Sequence, residues 1–464
     1  MSRLIVISNR VAVPTAAGSK GAQGGLAGAL QSLLRERAGL WFGWSGETAE
    51  EPAAEPHIQT TGGVTTATID LAPQDVEEYY NGYANATLWP LFHYRVDLTD
   101  YQRETAKGYE RVNETFAACA APLIQPADTV WVHDYHFLPL GERLRAQGLQ
   151  NRVGFFLHIP WPPANLLVSL PYHERLVRTV LQYDLVGFQS AEWLASFLFY
   201  CRRELGAKVD EDTGCITLDG HSTIARCYPI GIDYEHFMAQ GATGEARQAH
   251  QRMLSSTRHR TAIIGVDRLD YSKGLPERMD GIARFFETNP NGSREIVLVQ
   301  IAPPSREDVK SYQQIRATLE GKTGRINGEY SEIDTVPIRY VNKGHSAAEL
   351  FGCFRAAKIG LVTPLRDGMN LVAKEYVAAQ DPDDPGVLIL SRFAGAAQQL
   401  TDAVLVNPHS PDDISHAIQT ALQMDHAERR ERWKRMHEIV RTQTVQKWAA
   451  DFCRDLAQVE PLKC

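Results

Sequence analysis

A chain of 464 residues is long for a single hydrophobic core, so two domains of about 200 residues each are expected. Its 44% hydrophobic and 22% charged residues are typical of an ordinary globular protein. A net charge of −8 argues against nucleic acid as the main partner, so local basic residues would have to bind any anionic ligand.

Short, continuous apolar runs recur between helical segments along the chain. In the first half they are Leu4–Ile7, Val130–Val132, Val153–Leu157 and Leu185–Phe188. In the second half they are Ala262–Val266, Ile296–Ile301, Ile338–Val341, Ile359–Val362, Val387–Leu390 and Val404–Val406. Runs of this kind predict strands covered on both faces, and hence an α/β protein with parallel sheets. A break near Tyr228–Asp233 marks the predicted domain boundary. From Ser410 onward the pattern is mostly helical.

Polar residues follow many of the predicted strands. They are Arg10, His133, Asp134, His158, Arg268, Arg306, His345, Arg366, Asp367 and Arg392. In open α/β sheets the ligand crevice lies beyond the carboxyl ends of the strands. Two such sheets facing each other would direct both sets of side chains into one central cleft, which predicts an inter-domain active site.

The segment Arg366–Glu375 follows the run Ile359–Val362 and predicts a strand, a polar turn and a helix start. A helix start offers unpaired N–H groups that suit a phosphate, and Glu375 could accept two sugar hydroxyls. With Asp367 at the mouth, this arrangement suggests a nucleotide-sugar site. The alternative is an N-cap at Asp367 and a solvated Glu375.

Two further segments bear on phosphate binding. Arg268 and Lys273 lie in a strand-to-helix connection, where two cations could neutralise a pyrophosphate without a divalent metal. The alternative is that both are exposed loop charges. The glycine-rich stretch Gly21–Gly28 matches neither a dinucleotide-binding fingerprint nor a P-loop, so a dehydrogenase or a P-loop kinase is not favoured. Its glycines allow close backbone approach to a phosphate, or simply form a flexible loop.

Metal binding is not expected. His133, His136 and His158 lack the spacing of a zinc motif, and the prolines around Asp381–Pro385 make that acidic stretch a turn. The aromatic cluster from Tyr79 to Arg95 suits either a sugar site or core packing.

The chain resembles the trehalose-6-phosphate synthase family over nearly its full length. The segments that carry the resemblance are Ser8–Arg10, Gly24–Gly25, Leu40–Gly46, Leu88–Pro90, Val132–His136, Phe155–Pro160, Tyr228–Ile232, Arg268–Pro276 and Thr363–Tyr376. The resemblance implies a glycosyltransferase B-type fold, in which two Rossmann-like domains with parallel sheets face a central cleft. It implies an acceptor domain at 1–230, a donor domain at 231–440 and a C-terminal helix, 441–464, that packs back on the first domain.

The implied reaction moves glucose from UDP-glucose to glucose 6-phosphate with retention, and gives trehalose 6-phosphate. No metal or cofactor is implied, because UDP-glucose is a co-substrate. The small-molecule substrates are the implied partners, with no nucleic acid or membrane, and family members often associate as dimers or tetramers. Scattered cysteines without metal spacing, and a short apolar run at the N-terminus, fit a cytoplasmic enzyme.

The resemblance also assigns roles to residues. The catalytic group would be Arg268, Lys273, Asp367 and His158. The donor would contact Gly24, Gly25, Arg268, Lys273, His345, Leu371, Val372, Ala373, Lys374 and Glu375. The acceptor would contact Arg10, Tyr80, Trp89, Asp134 and Arg306, with both arginines on its phosphate.

Two positions differ from the family pattern. His345 stands where relatives often carry an aromatic residue near the uracil, and Trp161 replaces the usual phenylalanine. The first leaves GDP-glucose or ADP-glucose open as donors. Two other functions also stay open, namely a non-catalytic sugar-phosphate sensor and a transferase for another acceptor, such as glycerol 3-phosphate or a cyclitol phosphate.

Overall fold

The structure is a computed structural model that describes residues 3–11, 30, 34, 39–52, 55–61, 63–257, 259–305 and 310–460. The chain divides into two units, Met1–Pro229 with Gln446–Cys464, and Ile230–Val445. Each unit is an α/β layer structure around its own sheet.

The first unit is built on a ten-stranded sheet. Its strands are β1 (Leu4–Arg10), β2 (Leu40–Thr48), β3 (His57–Thr61), β4 (Val64–Leu71), β5 (Thr129–His133), β6 (Val153–Phe156), β7 (Leu185–Phe188), β8 (Lys208–Asp210), β9 (Cys215–Leu218) and β10 (His221–Cys227). They are ordered β3-β4-β2-β1-β5-β6-β7-β10-β9-β8. The centre of the sheet is parallel, as the apolar runs predict, and its strands are buried.

The edges of this sheet are antiparallel, which the apolar runs did not indicate. Strand β3 pairs with β4, and β8 and β9 continue from β10 by antiparallel pairing. Strand β3 is exposed along its whole length, so it has no apolar run from which a strand could be predicted. Between β9 and β10 lie Asp219 and Gly220 with φ of 53° and 84°, the left-handed conformations of a tight two-residue hairpin turn.

Helices cover the sheet of the first unit. They are Pro73–Asp75, Trp89–Phe92, Arg103–Ala120, Leu140–Ala146, Ala164–Leu167, His173–Val180 and Ala191–Arg203, with 3₁₀ turns at Val96–Leu98, Ala121–Leu123 and Tyr135–Phe137. Val76–Leu88 forms a wide helix of the π type. Such helices are rare and mostly of one turn, whereas this one runs for 13 residues.

The last helix, Val445–Gln458, completes the core of the first unit. The ring of Phe452 stacks on Trp131 at a centroid distance of 4.6 Å, and Trp448 packs against the same ring at 4.9 Å. Two strand glycines allow this approach, because a Cβ at Gly154 or Gly187 would come within 3.0 Å of the Phe452 ring. The helix is therefore an integral part of this unit.

The second unit has a six-stranded sheet that is parallel throughout. Its strands are β11 (Thr261–Val266), β12 (Ile296–Ile301), β13 (Ile338–Val341), β14 (Ile359–Val362), β15 (Val387–Ser391) and β16 (Val404–Val406). Each coincides with a predicted apolar run to within one residue at either end. The order β13-β12-β11-β14-β15-β16 reverses direction between β11 and β14. That pair is the topological switch point, where such sheets bind ligands.

The helices of the second unit are Tyr234–Gly241, Gly244–Thr257, Leu275–Thr288, Gly292–Glu295, Lys310–Tyr330, Ala347–Ala356, Leu371–Ala379, Pro411–Gln423 and His426–Thr442, with 3₁₀ turns at Tyr271–Lys273 and Gly395–Gln398. The prediction of a mostly helical chain after Ser410 is confirmed. Among the described residues, no helix has both the length and the hydropathy that crossing a bilayer requires.

Candidate active site

An ion pair between Lys273 and Asp367 marks the switch point of the second unit. Lys273 ends the 3₁₀ turn after β11, and Asp367 lies in the loop after β14. The Lys273 Nζ lies 2.5 Å from Asp367 Oδ2, and each side chain is nearly nine-tenths buried. The amide of Asn370 donates to the same oxygen at 3.1 Å. Two residues 94 positions apart, both singled out by sequence, are thus in contact.

The loops that carry this pair are joined by backbone hydrogen bonds. Leu365 N donates to Ser272 O at 2.8 Å, and Asp367 N donates to Phe393 O at 3.2 Å. Gly274 has a φ of 64°, and a Cβ there would lie 2.2 Å from Thr363 O, so only glycine fits. Arg268 is exposed in the first of these loops. The loops after β11, β14 and β15 therefore hold the polar side chains in fixed positions.

A buried arginine that the sequence analysis missed supports these loops from beneath. Arg278 is fully buried. Its Nε donates to Thr363 Oγ1 at 2.9 Å, its Nη1 to Gln300 Oε1 at 2.8 Å and its Nη2 to Asp267 Oδ2 at 2.8 Å. These partners stand at the ends of β14, β12 and β11, so one guanidinium ties three strand ends together.

Burial raises the pKa of Asp267, and the charge of Arg278 offsets part of that rise. A signal for Arg278 was present in the sequence, because it lies on the same helical stripe as the apolar residues Leu275, Met279 and Ile282. An arginine in the middle of an apolar stripe must find a buried partner.

The helix Leu371–Ala379 begins at an asparagine, not at the aspartate. Asn370 is in the left-handed region with a φ of 76°, and its Oδ1 accepts a hydrogen bond from Ala373 N at 3.2 Å. The alternative reading of Asp367 as the N-cap is therefore wrong. Leu371 and Val372 are half-buried at this start, where backbone N–H groups have no partner within the helix.

Lys374 and Glu375 are neighbours with different surroundings. Lys374 is 1% exposed, and its Nζ donates to Ile230 O and to Gln399 Oε1, each at 2.6 Å. Burial lowers the pKa of Lys374 to about 7 and raises the pKa of Glu375 to about 7. Within the described part of the chain, the carboxyl of Glu375 accepts no hydrogen bond from the protein. The lysine is turned into the protein, whereas the glutamate is available to a ligand.

His345 lies between β13 and the helix Ala347–Ala356 of the second unit. Its Nδ1 is 3.1 Å from Glu349 Oε2. Its buried Nε2 has no hydrogen-bond partner among the described residues. One ring nitrogen is thus fixed by the protein and the other is not.

In the first unit, Arg10 and Tyr80 meet on Trp44. The guanidinium of Arg10, at the exposed end of β1, lies 4.6 Å from the centre of the Trp44 ring, and its Nη2 donates to Gly46 O at 3.3 Å. Tyr80 contacts Trp44 edge to face at 5.7 Å and stacks on His136 at 6.0 Å. Trp44 and His136 belong to segments that the sequence analysis quoted, but neither was assigned a role.

Trp89 lies beneath this surface and is 5% exposed. Its ring packs on His93 at 4.2 Å and on Tyr135 at 5.5 Å. Of the predicted acceptor residues it has the least accessible side chain among those the structure describes.

His158 is held by both of its ring nitrogens. Its Nε2 lies 3.0 Å from His133 Nδ1, and its Nδ1 lies 3.3 Å from Gln189 Nε2. An amide nitrogen only donates, so Nδ1 of His158 accepts and its proton is on Nε2, facing His133. Asp134 Oδ1 accepts from His158 N at 3.2 Å, and Asp134 itself has a φ of 76°.

Both imidazoles of this pair are neutral. Burial lowers the pKa of His158 to about 3 and holds that of His133 well below its usual range. The His158 side chain is therefore positioned by the protein and not placed to exchange a proton near neutral pH. Its partners His133 and Gln189 share no sequence spacing that would have linked them to it.

Gly24, Gly25 and Arg306 lie outside the described residues. Within the described ranges, no group of three histidine, cysteine, aspartate or glutamate side chains could hold a metal ion. The stretch Asp381–Pro385 forms the predicted turn before β15.

Comparison with known proteins finds relatives that match nearly the whole chain. The model of glycosyltransferase family 20 matches residues 2–458. A trehalose-6-phosphate synthase of Sinorhizobium fredii is 46% identical over 461 residues, which cover 98% of both chains. One from Escherichia coli O1:K1 is 43% identical over 461 residues, 99% of this chain and 96% of its own.

Solved structures of the same kind are equally similar. A UDP-forming α,α-trehalose-phosphate synthase from Burkholderia xenovorans in complex with glucose-6-phosphate has 45% identity and a TM-score of 0.93, covering 98% of this chain and 100% of its own. An E. coli counterpart bound with UDP-2-fluoro glucose has 43% identity and a TM-score of 0.94, covering 99% and 100%. The expected glycosyltransferase B-type fold is confirmed.

Proposed function

The chain belongs to glycosyltransferase family 20, and on that premise we propose that it transfers glucose from UDP-glucose to glucose 6-phosphate with retention. The products are α,α-trehalose 6-phosphate and UDP. The observation that carries this proposal is the match of the whole chain to enzymes solved with each of these two ligand classes. The polar switch point of the second unit supports it, because a fixed cation and a carboxyl without a hydrogen-bond partner among the described residues suit a nucleotide sugar.

We assign the donor to the second unit. Arg268 and Lys273 bind the diphosphate, and an ammonium has three N–H donors, so Lys273 can hold Asp367 and a phosphate oxygen together. Asp367 then accepts from hydroxyls of the transferred glucose. The backbone at Leu371–Ala373 serves the phosphates, and Glu375 accepts from the ribose. We assign His345 to the base of the donor. Lys374, whose Nζ is held by Ile230 O and Gln399 Oε1, and Gly24 and Gly25 complete the proposed donor-binding set.

We assign the acceptor to the first unit. Arg10 binds the phosphate of glucose 6-phosphate together with Arg306, and Tyr80 and Asp134 contact the sugar. Trp89 supports the floor of this site from within the core. His158, locked in one tautomer, contacts the transferred glucose by its fixed position and not by proton transfer.

The chemical step follows from these assignments. The acceptor hydroxyl attacks the anomeric carbon on the face that UDP leaves, so the bond to the β-phosphate oxygen breaks as the new glycosidic bond forms. The hydroxyl proton passes to the departing phosphate. Negative charge grows on that phosphate, and Arg268 and Lys273 stabilise it, as preorganised cations do at other transition states. Because these two cations meet the leaving group, we propose that the reaction needs no metal or other cofactor.

The other functions left open by the sequence are less well supported. A non-catalytic sensor would not need Lys273 fixed against Asp367 beside the donor site, yet the two are in contact. A different phosphorylated acceptor would need a different sugar pocket, whereas Tyr80 rests on Trp44 and His136 beside Arg10. We further propose a cytoplasmic protein that self-associates as a dimer or tetramer.

A UDP-release assay against a panel of donors and phosphorylated acceptors tests the proposal. UDP-glucose with glucose 6-phosphate should give the fastest turnover, and NMR should identify an α,α-linked product. The rate should be unchanged in excess EDTA. No turnover with this substrate pair would contradict the assignment, and faster release with GDP-glucose or ADP-glucose would correct the donor.

A further inference from the structure

A second cavity in the first unit is not used by the proposed reaction. Its volume is about 630 Å³, which lies within the range of small-molecule sites. It lies between the helix Arg103–Ala120, the wide helix Val76–Leu88 and the turn that precedes His173–Val180. None of the residues assigned above to donor or acceptor lines it.

Three tyrosines with unused hydroxyls face this cavity. They are Tyr83, Tyr101 and Tyr172, and within the described residues none of their side chains makes a hydrogen bond. Tyr172 is 68% exposed and has a φ of 61°, an unusual conformation for a bulky residue. Burial raises the pKa of Tyr83, so its hydroxyl keeps its proton and can donate. Aromatic faces with free hydroxyls suit a sugar, whose C–H faces stack on rings.

Two cations beside these rings also have no partner in the described fold. Arg103 and Lys107 are both exposed, and they lie one turn apart on the same helix. Both positions are costly to the helix, because like charges at this spacing repel and Arg103 opens the helix, where its dipole disfavours a cation. Residues that are unfavourable for their helix and make no stabilising contact in return are expected at binding sites.

Most of the other charged side chains that line the cavity form ion pairs within the protein. Arg111 pairs with Asp75 and Glu78, and Arg175 pairs with Glu142. Among the described residues the remaining unpaired carboxylate of the wall is Glu114, because Glu110 pairs with Arg143.

The unpaired charge on the wall is therefore positive, in a chain whose net charge is −8. From the rings, the free hydroxyls and the two cations we propose that this cavity binds a phosphorylated sugar at a site separate from the acceptor site. The phosphate meets Arg103 and Lys107, and the sugar rests on Tyr101 and Tyr172.

One layer of rings separates this cavity from the predicted acceptor residues. Tyr83 packs on Tyr109 at 4.7 Å, and Tyr109 stacks on Tyr79 at 5.9 Å. Tyr79 precedes Tyr80 in the wide helix, and its hydroxyl donates to Asn9 Oδ1 at 2.8 Å. A binding test must therefore distinguish the two sites directly.

The test places 3-fluorotyrosine at position 172 of the full chain and follows its ¹⁹F signal during titration with trehalose 6-phosphate, glucose 6-phosphate, inorganic phosphate and AMP. We expect a saturable shift with a phosphorylated sugar. The variant R103A/K107A should weaken the affinity measured from this shift by about tenfold or more. Arg10→Ala, in the acceptor site, should leave it unchanged. The matched control K208A/R430A removes two exposed cations elsewhere and should also leave it unchanged.

Several outcomes would overturn the proposal. They are the absence of a saturable shift, a shift lost in Arg10→Ala, and a shift retained in R103A/K107A. Equal affinity for inorganic phosphate would reduce the site to an anion contact, and tighter binding of AMP would make it a nucleotide site. A shift that follows protein concentration without ligand would mean that a second copy of the chain covers the cavity.

Discussion

The predicted donor residues and the predicted acceptor residues are held in place by different forces. In the second unit, charged groups hold the site: Lys273 on Asp367, and Arg278 across three strand ends. In the first unit, rings hold it: Arg10 and Tyr80 both rest on Trp44. The contrast matches the proposed ligands. Fixed cations suit the diphosphate of a nucleotide sugar, and aromatic faces suit the sugar ring of the acceptor, whose phosphate is assigned to Arg10 and Arg306.

This contrast also sets how each half should respond to mutation. Removing one member of a buried charge pair leaves the other charge uncompensated, which is costly. Removing one ring from a cluster costs packing but leaves no such charge. Four experiments can test this difference between the two units.

Arg278→Leu should cause the largest loss, because it leaves Asp267 buried without the cation that offsets its burial, and it removes the donors to Thr363 and Gln300. We expect the free energy of unfolding of the protein to fall by about 3–5 kcal/mol. Urea denaturation followed by tryptophan fluorescence would measure it. Arg294→Leu is the matched control, since that arginine forms an exposed pair with Glu332 and should change the free energy of unfolding far less. Similar losses in both variants would contradict a supporting role for Arg278.

Lys273→Ala should lower the catalytic rate, and it should also lower stability, because Asp367 loses its ion-pair partner. If Lys273 stabilises the departing UDP, kcat should fall by about 10²–10³-fold. Lys358→Ala is the control, because Lys358 also contacts an aspartate, Asp384, in the same unit but on the surface. It should leave kcat unchanged. A rise in the donor KM at constant kcat would show that Lys273 binds the ground state only.

Tyr80→Ala should weaken acceptor binding while leaving the donor untouched. We expect the KM for glucose 6-phosphate to rise by about tenfold, the equivalent of about 1.4 kcal/mol of lost ring contact. Tyr80→Phe keeps the ring on Trp44 and His136 and should recover most of the loss. An equal rise in the KM for UDP-glucose would place Tyr80 in neither site alone.

The smallest effect should be a pH dependence of donor binding through Glu375. Burial raises its pKa to about 7, so the carboxylate that accepts from ribose hydroxyls becomes more populated as the pH rises. The KM for UDP-glucose should fall several-fold from about pH 6 to about pH 8. Glu375→Gln should abolish this dependence. If it persists, Lys374, whose pKa is also about 7, is the group that titrates.

The raised pKa of Glu375 also affects the stability of the folded protein, in the opposite direction to its effect on donor binding. The folded state favours neutral Glu375, so its contribution is complete below pH 4.5 and is lost as the pH rises through about 7. Tighter donor binding and lower stability should therefore appear in the same pH window.

Sequence reasoning succeeded where burial on both faces leaves a continuous apolar run. All six strands of the second unit were predicted from such runs. In the first unit the runs predicted β1, β5, β6 and β7, whereas β2, β3, β4, β8, β9 and β10 were missed. The threonines of β3 and β4 carry the β-branched signal without the apolar one. The wide helix Val76–Leu88 was predicted only as an aromatic cluster, since a helix of i→i+5 hydrogen bonds does not follow the period of an α-helix.

For the candidate site, the sequence singled out residues but could not show which of them are in contact, because the contacts join distant segments. The sequence singled out Lys273 and Asp367 separately, but their contact depends on two loops brought together at the switch point. The sequence placed His133 and His158 at the ends of predicted strands, but it showed neither their contact nor the contact of Gln189 with His158. Arg278 was the one supporting residue with a readable signal, a charge on an apolar stripe.

The packing of Trp448 and Phe452 on Trp131 has a consequence for how the chain is made. A ribosome would deliver the ten-stranded sheet first, but the side chains that close its core come more than two hundred residues later. Trp131 of the first unit therefore stays uncovered while the whole second unit is synthesised and can already fold. Contacts so distant in sequence close slowly. Premature termination just before Gln446 would leave a complete second unit joined to a first unit whose aromatic core lies open, a ready target for chaperones or proteases.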